Sequence, residues 1–79
     1  MNTLQQAITL IESDKWDEAH TLAQAGNDKY SYLIHGLLHR IEGDMANAAY
    51  WYNRANETLL DNSIADEINR INIRIQNHV

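Results

Sequence analysis

Apolar residues recur along this chain at intervals of three and four, and five stretches carry that helical spacing. The first runs from about Thr3 to Glu12, where Leu4, Ala7, Ile8 and Ile11 share a face and Ser13 with Asp14 break the pattern. Asp14 or Lys15 leads into a second, with Trp16, Ala19 and Ala23 facing inward. Its first turn holds Asp17 and Glu18, where carboxylates suit the positive end of the helix dipole. Gly26 and Asn27 tolerate left-handed backbone and predict its end. A third helix, from about Asp28 to Glu42, is apolar around most of its circumference through Leu33, Ile34, Leu37, Leu38 and Ile41, which predicts the central, most buried element. Gly43 stops it, and Asp44 caps a fourth helix striped by Met45, Ala48, Ala49, Tyr52 and Ala55, with a turn around Asp61 to Ser63 ending that hairpin. Ser63 and Asp66 stand in capping-box spacing ahead of a fifth helix striped by Ile64, Ile68, Ile71, Ile75 and Val79. The reading is all-α, with about five helices.

Composition narrows this further. A chain of 79 residues holds one domain, and a domain this short buries only about 60 to 65 % of the surface its unfolded form exposes. With no cysteine it has neither disulfides nor thiolate metal ligands, so stability must come from helix packing or from pairing with a second copy. The net charge of −5, with six basic residues scattered along the sequence, argues against nucleic acid as a partner. Met1 to Ile11 shows no basic stretch leading into an apolar core, and the apolar runs are too short to span a membrane. A cytoplasmic location is the expectation, and the sequon Asn56, Glu57, Thr58 then carries no glycan.

A shift of 29 residues superposes Ala7 on Gly36, Leu10 on His39, Trp16 on Met45, Ala19 on Ala48 and Gly26 on Ala55, an internal repeat. In each copy a small residue on the first helix precedes an alanine on the second by twelve positions, and small side chains are what let two antiparallel helices approach closely. The pattern resembles the tetratricopeptide repeat. The second copy carries the likeness through Tyr32, Gly36, Gly43, Asp44, Ala48, Tyr52 and Ala55, and the first through Ala7, Asp14, Trp16 and Ala19. The first copy departs at Ala23, where the family has a large aromatic residue, both copies lack the terminal proline, and the offset is shorter than the usual 34. The run Leu38, His39, Arg40, Glu42, Gly43, Asp44, Asn47, Ala48, Tyr50, Trp51, Tyr52, Arg54 and Ala55 is also similar to a set of small bacterial proteins of that build. The resemblance implies two antiparallel hairpins, about residues 3–26 and 28–60, followed by a C-terminal amphipathic capping helix at about 63–79.

Two constellations are candidates for chemistry. On the third helix His35 and His39 share a face, with Glu42 a further turn along, a set able to hold zinc and leave one coordination position open. The His-Glu-x-x-His protease pattern is absent, because Gly36 follows His35. The competing reading has both histidines lining a packed seam beside Gly36 and hydrogen-bonding locally, with His20 and His78 as lone, solvent-facing residues. On the fourth helix Asn47, Tyr50, Trp51 and Arg54 have the composition of a recognition surface. There the competing reading packs Trp51 against the fifth helix or the neighbouring hairpin, with Arg54 stacked over it. Ser13, Ser31 and Ser63 suit caps and turns, Asp14, Asp17 and Glu18 suit a solvated helix start, and no glycine loop cradles phosphate, so neither catalytic residues nor a cofactor are expected.

Tetratricopeptide arrays bind peptides on the face formed by their first helices, which the resemblance places at Leu4, Ile8, Ile11, Leu33, Leu37 and Ile41. The Lys and Asn clamp of chaperone-binding members has no counterpart. A groove so apolar needs a cover, either the isoleucine stripe of the fifth helix or a second copy of the chain. The expectation is a non-enzymatic module for a protein or peptide partner, or for its own twin, with a metal or small-ligand site at His35, His39 and Glu42 as the alternative.

Overall fold

A computed structural model describes residues 3–77 of the chain; Val79, counted in the fifth stripe, and His78 lie outside them. The described residues form five helices, α1 (Thr3–Glu12), α2 (Trp16–Ala25), α3 (Lys29–Ile41), α4 (Met45–Arg54) and α5 (Ile64–Asn77), and no strand. α3 packs against each of the other four, which its nearly all-round apolar surface dictates, while α1 packs on α2 and α5 lies across α1 and α3. Leu33, Ile34, Leu37 and Leu38 of α3 are fully buried, joined by Ala7, Ile8 and Ile11 from α1, Ala19 and Ala23 from α2, Tyr52 from α4, and Ile71 and Ile75 from α5.

Three turns stop helices in the same way. Asp14, Gly43 and Asn56 take positive φ of 61, 86 and 59°, and in each case the next amide donates back across the helix end. Lys15 N–H reaches Leu10 O, Asp44 N–H reaches His39 O and Glu57 N–H reaches Tyr52 O, at 2.8, 2.9 and 2.9 Å. These bonds satisfy carbonyls that the helix would leave unpaired. The first two turns stand 29 positions apart, the same offset as the side-chain repeat. Starts are capped by side chains at α3 and α4, where Ser31 N–H donates to Asp28 Oδ1 at 2.7 Å and Asn47 N–H to Asp44 Oδ1 at 3.2 Å. At α5, Asp66 N–H donates to Ser63 Oγ at 3.0 Å.

Several expectations fail in instructive ways. Gly26 is extended, at φ −87° and ψ 155°, and Asn27 has no positive φ; a Cβ on Gly26 would lie 2.0 Å from Ser31 Oγ, so glycine serves close packing there and not a left-handed turn. Helix α4 ends at Arg54, before Asp61 to Ser63, because Asn56 supplies the left-handed stop; the chain then crosses to α5 in a loop. Ile41 and Met45 are 39 and 47 % exposed, and Ala49 is exposed too. Residues 41–46 form the solvent-facing tip of the α3–α4 turn, and α4 lies along α3 alone, so Ala48, Tyr52 and Ala55 suffice as its buried stripe.

The second pair of small residues, Gly36 and Ala48, meets as their sizes require. Ala19, Gly36 and Ala48 are buried, and a Cβ on Gly36 would come within 3.2 Å of Ala48 O and 2.6 Å of the Tyr52 ring. Beyond this seam a polar network fixes α5. Glu67 is 0 % exposed and accepts from Tyr52 Oη at 2.5 Å, Asn62 Nδ2 at 2.8 Å, and Arg70 Nε and Nη2 at 2.8 Å each. Asn62 in turn accepts from the two terminal nitrogens of Arg40, Nη1 at its side-chain oxygen and Nη2 at its backbone oxygen. A second carboxylate, Glu57, binds Arg74 at 2.5 and 3.0 Å and Lys29 at 2.8 Å, tying the loop to α5 and to the start of α3.

Candidate functional site

Apart from this network, α2, α3 and α4 bring seven aromatic or imidazole rings, Tyr32 among them, into a continuous array. The i, i+4 pair Trp16 and His20 rises from α2, and the i, i+4 pair His35 and His39 from α3. Trp51 closes the array from α4, next to Tyr50. Trp16 stacks on His20 with centroids 4.7 Å apart, and Trp51 stacks on His35 at 3.9 Å, so one indole lies on each side of the histidines. His20 meets His35 edge-on at 4.5 Å and His39 at 5.3 Å, while His35 and His39 stack at 4.9 Å. The Trp16 indole N–H donates to Leu38 O at 2.7 Å, which fixes that ring against α3.

His35 and His39 are 5 and 8 % exposed, in keeping with a packed seam beside Gly36. The expectation for His20 is overturned: it is half-buried and completes a three-histidine cluster, with one ring nitrogen from each residue within 4.8 Å of the others. Helical spacing within α3 sees only two of these histidines, because the third arrives from α2 through tertiary packing. Glu42 sits on the other side of His39, its Oε1 2.6 Å from Nδ1. Burial, followed by the proximity of His20 and His39, pushes His35 down to about 4; burial and then His39 push His20 down as well. Both are neutral imidazoles at pH 7.

The fourth-helix residues form the adjoining surface. Tyr50 is 54 % exposed, Arg54 is exposed, and Trp51 and Asn47 are half-buried. Trp51 packs on α3, against His35 and Tyr32. The Arg54 guanidinium carbon lies 4.6 Å from the Tyr32 ring centre, 5.2 Å from Trp51 and 5.9 Å from Tyr50. Its Nη2 donates to Tyr32 Oη at 3.4 Å, and no carboxylate among the described residues pairs with it. Tyr32, read from sequence only as part of the repeat, belongs to this patch; its place three residues before His35 was the available signal.

Elsewhere the surface offers shallow depressions: one of 260 Å³ at Gln6, Thr9, Leu10 and Leu22, one of 300 Å³ around Leu4 and Gly26, and one of 280 Å³ between α1 and α5. No helix among the described residues is long and apolar enough to cross a membrane. No protein-family model, curated protein or solved structure matches the chain.

Proposed function

We propose that this protein is a non-enzymatic, cytoplasmic interaction module of tetratricopeptide-like build that recognises a protein or peptide partner through Tyr32, Tyr50, Trp51 and Arg54, with Asn47 at the edge. The observation that carries this reading is Arg54: an exposed guanidinium 4.6 to 5.9 Å from three aromatic ring centres, with no carboxylate partner among the described residues. A cation fixed in this way loses little side-chain freedom when a partner carboxylate docks, and the surrounding rings supply apolar contact area. The placement of α5 supports the choice of face. Because α5 lies on α1 and α3, the groove that tetratricopeptide arrays offer to peptides is filled from within, and recognition falls to the α3–α4 side.

The test uses Tyr50→Ala with Arg54→Ala, a pair that touches only the exposed rim and leaves the Trp51–His35 stack in place. Affinity capture from a cytoplasmic lysate and size-exclusion chromatography of the purified chain, each with wild type and the double variant, separate a foreign partner from self-association. A partner or a dimer lost in the variant supports the assignment; identical captured proteins and identical elution for both would refute it.

A further inference from the structure

Beyond partner recognition, the geometry points to a second site. We propose that His20, His35 and His39 bind one divalent transition-metal ion of the zinc type, with Glu42 orienting His39 from behind.

The first argument is convergence. Three ring nitrogens from two helices lie within 4.8 Å of one another. A tetrahedral zinc ion with Zn–N bonds of about 2.0 to 2.1 Å holds its nitrogens roughly 3.3 Å apart, so closure needs ring rotations on the order of an ångström. The second is the polarity of what is left unpaired. Among the described residues no hydrogen bond reaches the ring nitrogens of His20 or His35, yet no buried side-chain nitrogen or oxygen lacks a partner. Those nitrogens therefore keep some contact with solvent although the His35 ring is buried. The third is Glu42. Its carboxylate engages His39 Nδ1 at 2.6 Å and leaves Nε2 as the ligating atom, the arrangement by which a carboxylate fixes the tautomer of a metal-bound imidazole and raises its basicity. The stacked indoles of Trp16 and Trp51 hold two of the rings in place from outside. An all-imidazole set selects zinc, copper or nickel over magnesium or calcium, and leaves a fourth position for water or for a donor from a partner.

The experiment uses the full chain without an affinity tag, stripped with chelator and titrated with Zn2+ by calorimetry, with Mg2+ as control. Binding of one equivalent is expected, with a rise in melting temperature that Mg2+ does not produce. Both tryptophans of the chain stack on the cluster, so Cu2+ should quench their fluorescence at the same stoichiometry. His20→Gln, at the half-buried rim, keeps the helical circular-dichroism signal and lowers Zn2+ affinity at least about tenfold. Glu42→Gln lowers it by about 10- to 100-fold. Failure of the folded wild type to saturate near one equivalent overturns the assignment, as does a His20→Gln affinity equal to wild type. Neither result bears on the α4 patch, whose test reads partner capture.

Discussion

Replacing Gly36 with alanine tests the central seam, because two opposing terms can be sized. In an exposed helix the change stabilises by about 1 kcal/mol, since glycine is the poorer helix former. Here the new Cβ would lie 2.6 and 2.8 Å from the Cδ1 and Cε1 atoms of Tyr52 and 3.2 Å from Ala48 O. The first two distances are below any real carbon contact, so the ring or the backbone must move. The ring is poorly placed to yield: Tyr52 is buried, and its hydroxyl is held by Glu67. Moving it would disturb the carboxylate network that fixes α5. Overpacking of this kind costs about 1 to 3 kcal/mol, occasionally more, and a pinned ring belongs at the upper end. The net expectation is destabilisation by about 1 to 2 kcal/mol after the helix term is subtracted. For a domain of this size that lowers the melting temperature by roughly 5 to 15 °C. Thermal and urea denaturation followed by circular dichroism measure it. A variant as stable as wild type, or more stable, would show that α3 and α4 are not in the contact described, and the small-residue account of the fold would fall with it.

Two further predictions concern the polar network. Tyr52→Phe removes one of the donors to the buried Glu67 carboxylate and should destabilise by about 1.5 to 3 kcal/mol, the range for hydrogen bonds to charged groups, measured by urea denaturation. The pH dependence follows from Glu57, held at about 2 by hydrogen bonds from Arg74 and Lys29, and from Glu67, which burial pushes up but Arg70, Tyr52 and Asn62 together hold at about 2. A carboxyl group whose folded pKa lies below its unfolded value of 4.5 contributes stability in full above that value and loses it as pH falls toward 2. Glu57→Gln should therefore be less stable than wild type at pH 7, and the gap between the two urea midpoints should narrow by pH 3; a gap independent of pH would contradict the assignment.

The helices were legible because their stripes are long and regular. Leu33 to Leu38 announces a helix covered on all sides, and the Ile64 to Ile75 run announces one that must be covered. Turn chemistry was legible in part: Gly43 stops α3 as read, but the left-handed conformation expected at Gly26 and Asn27 is taken instead by Asp14, Gly43 and Asn56. Left-handed backbone is open to Asn and Asp at modest cost, so a glycine at a helix end does not by itself identify the turn. Glu67 was hidden by its charge, although it lies three residues after Ile64 and four before Ile71, on the buried face. The histidine cluster was half legible. His35 and His39 follow from the helical repeat, whereas His20 joins them only through the packing of α2 on α3, and local spacing carries no record of that contact. The basic residues show the same limit. Scattered in sequence, Lys29, Arg40, Arg70 and Arg74 converge in space on two carboxylates and one asparagine.

The two sides of the molecule differ in how completely their polar groups are used, and that contrast locates function better than any single residue does. Around α5 each buried polar group has its partner: Glu67 is surrounded by donors, Arg40 by the acceptors of Asn62, and Glu57 by Lys29 and Arg74. Such saturation fixes a helix in position, and it explains why α5 covers the α1–α3 groove in its own chain. On the α2–α4 face the same types of group are left with capacity. The His20 and His35 rings make no hydrogen bond, and the Arg54 guanidinium rests on aromatic rings without a carboxylate among the described residues. Folding alone gains little from that arrangement, since apolar side chains of equal volume would pack the seam without the desolvation cost of polar atoms. Groups held in place with bonding capacity to spare bind at a reduced entropic cost, which is why both proposals, for a partner carboxylate and for a metal ion, fall on this face and not on the side that α5 closes.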